Sequence, residues 1–196
     1  MIQSLIDRIF SYPGISNFVR NILENNFEEI RKVVRKELDC RRKTLDLGCG
    51  TGIFSSLFDD YIGIDISSKF INHARKKYKK QFMIMDATEI KFNNESFDNV
   101  FVFGVLHHLN DQTLLSVLSE IRRILNKNGK ALILEDIPAR QSFNFIGRLV
   151  HYFDSGGNIR APENYMGFLQ QALFLERSYS IKSGVCDYAV FVLLKK

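Results

Sequence analysis

The segment Leu45-Asp46-Leu47-Gly48-Cys49-Gly50-Thr51-Gly52 is the part of this chain best suited to chemistry. Glycine at alternate positions lets a backbone turn sharply and approach a ligand with no Cβ in the way. Such a turn between a strand and a helix start offers free N–H groups and a partial positive charge, suited to a carboxylate or phosphate. Asp65 stands at the end of the next apolar run, where a carboxylate can accept both hydroxyls of a ribose. The third glycine selects among nucleotides. Dinucleotide sites use Gly-x-Gly-x-x-Gly, but here Ile53 holds the final position and Gly52 gives Gly-x-Gly-x-Gly. Asp46, just ahead of the first glycine, can hold an ammonium group directly or through water. A ligand with a carboxylate, an ammonium and a ribose fits an amino-acid nucleoside better than it fits NAD, and a nicotinamide oxidoreductase is the weaker reading, against which Gly52-Ile53 argues.

From Thr44 onward, short apolar runs alternate with amphipathic stretches, the pattern of a mostly parallel α/β sheet. Strands are predicted at Thr44–Leu47, Tyr61–Ile64, Phe82–Met85, Val100–Phe103 and Ala131–Leu134. Ser67 or Ser68 can cap the basic helix after the second strand. Asp111 can cap a helix reaching about Leu125, with Leu114, Leu115, Leu118, Ile121, Ile124 and Leu125 at helical spacing. Asn128-Gly129 reads as its left-handed stop. Pro162 opens a short helix; Phe174–Ile181 and Tyr188–Leu194 then form an antiparallel pair around Ser183-Gly184. Two helices, near Ile2–Phe10 and Ile15–Leu38, precede the α/β repeat, so the predicted division is an extension over 1–42 and a domain over 43–196. That extension reads as a lid, an edge cover or a partner surface.

The chain has 196 residues, 45% of them hydrophobic and 25% charged, which excludes a disordered polymer. Its longest uncharged apolar runs, such as Val100 to Leu106, fall far short of the roughly 18 residues of a membrane span. Asp7 and Arg8 interrupt the first apolar stretch, which does not read as a signal peptide. Cys40, Cys49 and Cys186 form neither a zinc pattern nor a disulfide framework, as expected of a cytoplasmic protein without a metal site. The net charge of +5 is concentrated in two clusters, Arg31 to Lys43 and Lys69 to Lys80. Such faces suit nucleic acid or an anionic membrane, or are solvated helix surfaces.

These motifs resemble those of the class I S-adenosylmethionine-dependent methyltransferases. Leu45–Gly52 looks like the family's first motif and Gly63-Ile64-Asp65-Ile66-Ser67 like its ribose-binding second. Met85-Asp86-Ala87 is similar to the adenine motif, Ser96-Phe97-Asp98 through His107-His108-Leu109 to the fourth-strand motif, and Leu125–Leu134 to the Leu-x-x-Gly-Gly region, with Asn128 for its first glycine. The resemblance covers about residues 43–136. It implies a Rossmann-like, doubly wound seven-stranded sheet, mostly parallel with an antiparallel last strand, and a cofactor across the carboxyl ends of the first strands. Gly48, Gly50 and Gly52 would approach the methionine part, Asp65 the ribose, Asp86 with Ala87 the adenine, and Gly104 the methionine and the transferred methyl; Asp46, Cys49 and Ile66 would also line the cofactor site. Cys49 reads as a small filler. S-adenosylmethionine would be consumed and S-adenosylhomocysteine released.

Methyl transfer from a sulfonium is an in-line displacement that positioning can largely drive, with a base needed only for a protonated acceptor. No obligatory catalytic set is therefore legible. His107 and His108 follow the fourth strand, where either could take a proton or simply line the wall. His151, Tyr152, Asp154, Arg160, Glu163 and Tyr165 are further acceptor-side candidates, although Arg160 with Glu163 also reads as a surface ion pair. His73, in the basic helix, reads as exposed. No Asn/Asp-Pro-Pro-Tyr/Phe segment and no Pro-Cys or Thr-Cys pair is present, and no added nucleic-acid module fits in 42 residues. A small-molecule or lipid-like acceptor is favoured, closest to the quinone- and lipid-modifying branch, over an RNA or protein methyltransferase or a non-catalytic regulator. The apolar stripe Ile2, Leu5, Ile6, Ile9, Phe10 suits a lid, a peripheral membrane contact or packing on the sheet.

Overall fold

The computed structural model describes residues 24–138 and 157–195. Its strands are β1 (Thr44–Leu47), β2 (Tyr61–Asp65), β3 (Gln81–Ile84), β4 (Phe97–Phe103), β5 (Leu125–Asp136), β6 (Leu173–Ser183) and β7 (Cys186–Lys195). The helices are α1 (Glu28–Glu37), α2 (Ser68–Lys77), α3 (Asp111–Ile124) and α4 (Pro162–Ala172). One sheet carries the order β3-β2-β1-β4-β5-β7-β6. The first five strands run parallel, and β7 is antiparallel to both β5 and β6. The Rossmann-like sheet inferred from the sequence is therefore present, with its last strand, β7, antiparallel to the other six. Among the described residues, no helix is long and apolar enough to cross a membrane.

Alternation along the strands splits the core in two. In β4, Val100 and Val102 face a layer that includes α3 Leu114, Val117, Leu118 and Ile121 and α4 Tyr165. Phe101 and Phe103 face the other layer, with α1 Ile30, Val33 and Val34 and α2 Ile71 and Ala74. All of these residues are below 9% exposure, which is why β4 is apolar at consecutive positions rather than alternating.

Four local expectations need correction. The helix placed over Ile15–Leu38 does not run unbroken, because Asn25, Asn26 and Phe27 all have positive φ (49°, 56° and 58°), and α1 starts only at Glu28. Asparagine tolerates that region, whereas Phe27 is held there by complete burial against the rings of Phe54 and Phe103. Asn128 and Gly129 are not a left-handed stop. α3 ends at Ile124 and the chain extends at once into β5, where a Cβ on Gly129 would lie 2.9 Å from the Asn126 carbonyl oxygen. The third strand sits one residue earlier than expected, at Gln81–Ile84. Finally, the cap of α3 is Asn110, not Asp111: its side chain accepts from Thr113 N at 2.9 Å. Ser67 caps α2 as expected, accepting from Phe70 N at 3.4 Å.

The Asn110 cap gives the first prediction. Asn110→Ala should destabilise the fold by about 1 kcal/mol, lowering the melting temperature by roughly 2–4 °C. Asn110→Asp should restore it. An unchanged melting curve for the alanine variant would show that the cap contributes nothing.

Candidate functional site

The strand order reverses between β1 and β4, so the crevice beyond their carboxyl ends is where such sheets take ligands. The turn after β1 occupies that crevice. Gly48 N and Cys49 N both donate to Ile64 O, at 2.8 and 2.9 Å, folding the chain back over the end of β2. The three glycines of the turn have φ of +72°, +51° and +75°, and differ in what a Cβ would meet. At Gly48 it would lie 2.4 Å from Val105 Cγ2, and at Gly52 2.6 Å from the Phe82 ring. At Gly50 it would meet nothing within 4 Å. Gly48 and Gly52 are thus required by packing and backbone conformation, while Gly50 leaves open space for a ligand. The helix start expected after the turn is absent: the following residues form only a three-residue 3₁₀ turn, Ser55–Leu57. With no helix N-terminus there, a ligand at this point would meet the backbone of the turn itself, which Arg31 braces through Ile53 O at 3.1 Å.

Two carboxylates flank the turn. Asp65 Oδ2 accepts from Gly50 N at 2.9 Å and Oδ1 from Ser67 N at 2.8 Å, leaving each oxygen a lone pair for a hydroxyl. Burial raises the Asp65 carboxyl above its ordinary range, and those two N–H groups oppose the rise. Asp46 is 2% exposed and accepts from the Tyr61 hydroxyl at 2.7 Å. Burial pushes its carboxyl up to about 7, against the Tyr61 hydrogen bond and with a contribution from the Asp65 charge. Asp46, Gly48, Gly50, Phe27 and Phe103 line a cavity of about 90 Å³. Cys49 is buried beside them, and burial raises its thiol, keeping it neutral and unsuited to nucleophilic attack.

The remaining sequence candidates fall into distinct places. Ile66 is 74% exposed directly after Asp65, an apolar side chain open to a planar ring. Asp86 is exposed and Ala87 half-buried. The Asp86 carboxyl is held low by Thr88, whose N–H and hydroxyl both donate to Oδ1. Gly104, at φ +64°, ends β4 and donates to Leu134 O at 2.9 Å. Together with Asp46, Gly50 and Asp65, these residues could hold the methionine, ribose and adenine parts of an amino-acid nucleoside. Open space at Gly50, a buried acid on the cavity wall and an exposed apolar side chain beside Asp65 fit that group.

On the acceptor side, His107 and His108 separate. His107 is 1% exposed and its Nδ1 lies 2.9 Å from Glu135 Oε2, while His108 is exposed with its ring centroid 4.1 Å from that of His107. Arg160 does not pair with Glu163. Its guanidinium donates to Leu106 O, Asn158 O and Leu109 O and to Asp111 Oδ1, so it staples the turn after β4. Tyr165 is fully buried in the core and is corrected from an acceptor contact to a packing residue. His73 is half-buried rather than exposed. His151, Tyr152, Asp154 and the N-terminal stripe lie outside the described residues. Nothing in the local sequence pattern marks Glu135, Phe27 or Phe103 as part of this site. Within the basic helix cluster, Arg75 donates to Phe82 O and Lys80 to Phe58 O and Asp59 O, so two of its cations serve the fold. Among the described residues, no group of three side chains could hold a metal ion.

Residues 45–133 match a family described as a methyltransferase domain. A demethylmenaquinone methyltransferase of Thermotoga maritima is 32% identical over 76% of this chain and 62% of its own length. The chain spans about half to three fifths of the length of the first curated relatives it matches. Among solved structures, a Pyrococcus horikoshii protein superposes with a TM-score of 0.68 at 21% identity, covering 90% of this chain and 96% of that one. The geranyl diphosphate C-methyltransferase of Streptomyces coelicolor, solved with Mg2+, geranyl diphosphate and S-adenosyl-L-homocysteine, gives a TM-score of 0.71 at 11% identity over 88% of this chain and 81% of that one. Those two likenesses are of fold.

Proposed function

We propose that this chain, a class I S-adenosylmethionine-dependent methyltransferase by its sheet and its matching domain, moves the methyl group of that cofactor onto a small, lipid-like acceptor. The observation that carries the reading is the Gly50–Asp65 hydrogen bond spanning the crevice beside the buried Asp46. Asp46 faces the ammonium group, the Gly50 backbone the methionine part, Asp65 the ribose hydroxyls, Ile66 and Ala87 the faces of the adenine, and Asp86 its amino group. Gly104 sets the β4 backbone beside the methyl. When bound, S-adenosylmethionine supplies a methyl made electrophilic by the sulfonium charge. The protein's own part is to align the acceptor with it and exclude water. His108, the exposed histidine, is the one able to reach an acceptor proton, and His107, tied to Glu135, fixes the turn that carries it. The quinone relative supports the acceptor class, and the internal use of Arg75 and Lys80 argues against nucleic acid.

Calorimetric titration with S-adenosylhomocysteine tests the cofactor half of the reading. Micromolar binding that excess NADH does not compete away is expected; a folded protein with no binding sinks it. For the acceptor, methyl-labelled cofactor should leave label in the organic extract when demethylquinones are supplied. Label appearing only in added RNA or protein would replace the small-molecule reading.

A further inference from the structure

Tyr61 opens β2 and is 3% exposed, with its hydroxyl 2.7 Å from Asp46 Oδ2. Room for that hydroxyl exists because residue 63 is glycine: a Cβ there would lie 2.7 Å from the phenol oxygen and 2.8 Å from Cys49 Sγ. The ring is gripped by Phe58, stacked at 5.9 Å, and by Phe82, edge-on at 5.6 Å. Apolar packing therefore fixes where the hydroxyl points. The carboxylate it meets lines the cavity beside Gly48 and Gly50.

A buried carboxylate either takes up a proton or finds donors and a cation. The groups around Asp46 sort accordingly. Tyr61 donates; Cys49 is a neutral thiol; Asp65 is a second carboxylate, which opposes ionisation. The register partners of Asp46 on the neighbouring strands are Gly63 and Phe101, both uncharged. A positive group arriving in the cavity would thus supply the charge that the carboxylate needs.

We propose that Tyr61 is a positioning residue for the cofactor's ammonium group: its hydroxyl holds the Asp46 carboxylate ionised and aimed into the cavity, so that cofactor affinity falls when Asp46 takes up a proton. The inference rests on the cofactor reading above. Its direction follows from the carboxyl sitting near 7 in the folded protein. Above that pH the charge is present to meet the ammonium; below it the charge is lost, and affinity falls about tenfold for each pH unit. Without the phenol the charged form loses a hydrogen bond, so the same fall begins at higher pH.

The test is calorimetric titration of S-adenosylhomocysteine into wild type, Tyr61→Phe and Asp46→Asn between about pH 5.5 and pH 8.5, each checked for folding by its melting curve. Wild type should bind most tightly near the top of the range and weaken below about pH 7. Tyr61→Phe should follow the same curve displaced upward by about one pH unit, weaker near neutrality and rejoining wild type at the alkaline end. Asp46→Asn should be weak and flat. A second measurement needs no variant: near pH 6.5, binding to wild type should release a proton, read from the dependence of the heat on buffer ionisation enthalpy. A flat wild-type profile, a Tyr61→Phe curve superimposed on wild type, or binding without proton release overturns the role of Tyr61 and leaves the cofactor reading standing. No binding by wild type at any pH overturns both.

Discussion

Asp65→Ala is expected to weaken S-adenosylhomocysteine binding at least about 100-fold in a protein that still folds. The carboxylate has two simultaneous tasks. It accepts from Gly50 N and Ser67 N, which fixes the open point of the glycine turn against the end of β2, and its remaining lone pairs face the crevice. Hydrogen bonds to a charged group contribute about 1.5–3 kcal/mol each, so losing two hydroxyl contacts removes about 3–6 kcal/mol, equivalent to at least about two decades in Kd. Asp65→Asn should fall between, because an amide keeps one acceptor but turns a donor toward either Gly50 N–H or Ser67 N–H. Its cost to folding should be modest. Burial raises this carboxyl in the folded state, so in its charged form it opposes folding, and the stability attributable to its titration is present below the ordinary carboxylate value and lost as pH rises from there through the raised folded value. Retention of wild-type affinity within about threefold by folded Asp65→Ala would remove the ribose from this position.

Where the sequence was legible, the reason is local. Alternate glycines after an apolar run mark a turn whatever surrounds it, and an acid after the next parallel run stands at the same end of the sheet. β4 could be read from Val100–Phe103 because a strand covered on both faces must be apolar at every position. The failures share a different cause. Gly52 reads as a ligand glycine by spacing, yet its missing Cβ makes room for Phe82, three elements later in the chain. The periodicity of Ile15–Leu38 suggests one helix, but Phe27 belongs to an aromatic cluster with Phe54 and Phe103, and the backbone turns left-handed over Asn25–Phe27 to deliver it there. Arg160 lies beside Glu163 in sequence, but the carbonyls of Leu106 and Leu109 and the carboxylate of Asp111 claim it. Long-range partners decided each case, and a single sequence does not display them.

Glu135 is the strongest instance, and its removal should be the most damaging single change to the fold. It ends the run Leu132-Ile133-Leu134, where an acid looks like an ordinary strand exit, yet it is wholly buried. Its Oε1 accepts from Val105 N at 2.9 Å and Leu106 N at 2.7 Å; its Oε2 accepts from His107 N at 3.2 Å and meets His107 Nδ1 at 2.9 Å. On the opposite side of the same turn, Arg160 donates to the carbonyls of Leu106 and Leu109. A carboxylate thus satisfies the N–H groups of Val105, Leu106 and His107, and a guanidinium reinforces the carbonyls of Leu106 and Leu109, around a single 3₁₀ turn, Leu106–His108, whose own backbone bonds run from His108 N to Val105 O and from Leu109 N to Leu106 O. Glu135→Ala would strand several buried donors at once. Breaking a buried charged network costs about 3–5 kcal/mol, a large part of the 5–15 kcal/mol typical of a domain. At roughly 2–4 °C per kcal/mol for this chain length, the melting temperature should fall by about 10 °C. Glu135→Gln keeps the shape and one acceptor, so it should fold with a smaller loss and bind S-adenosylhomocysteine nearly as wild type, while the misaligned turn lowers kcat on whatever acceptor is found. Equal losses of cofactor affinity and kcat in the glutamine variant would make Glu135 a general support of the sheet. A melting temperature for Glu135→Ala within about 2 °C of wild type would refute the clamp outright.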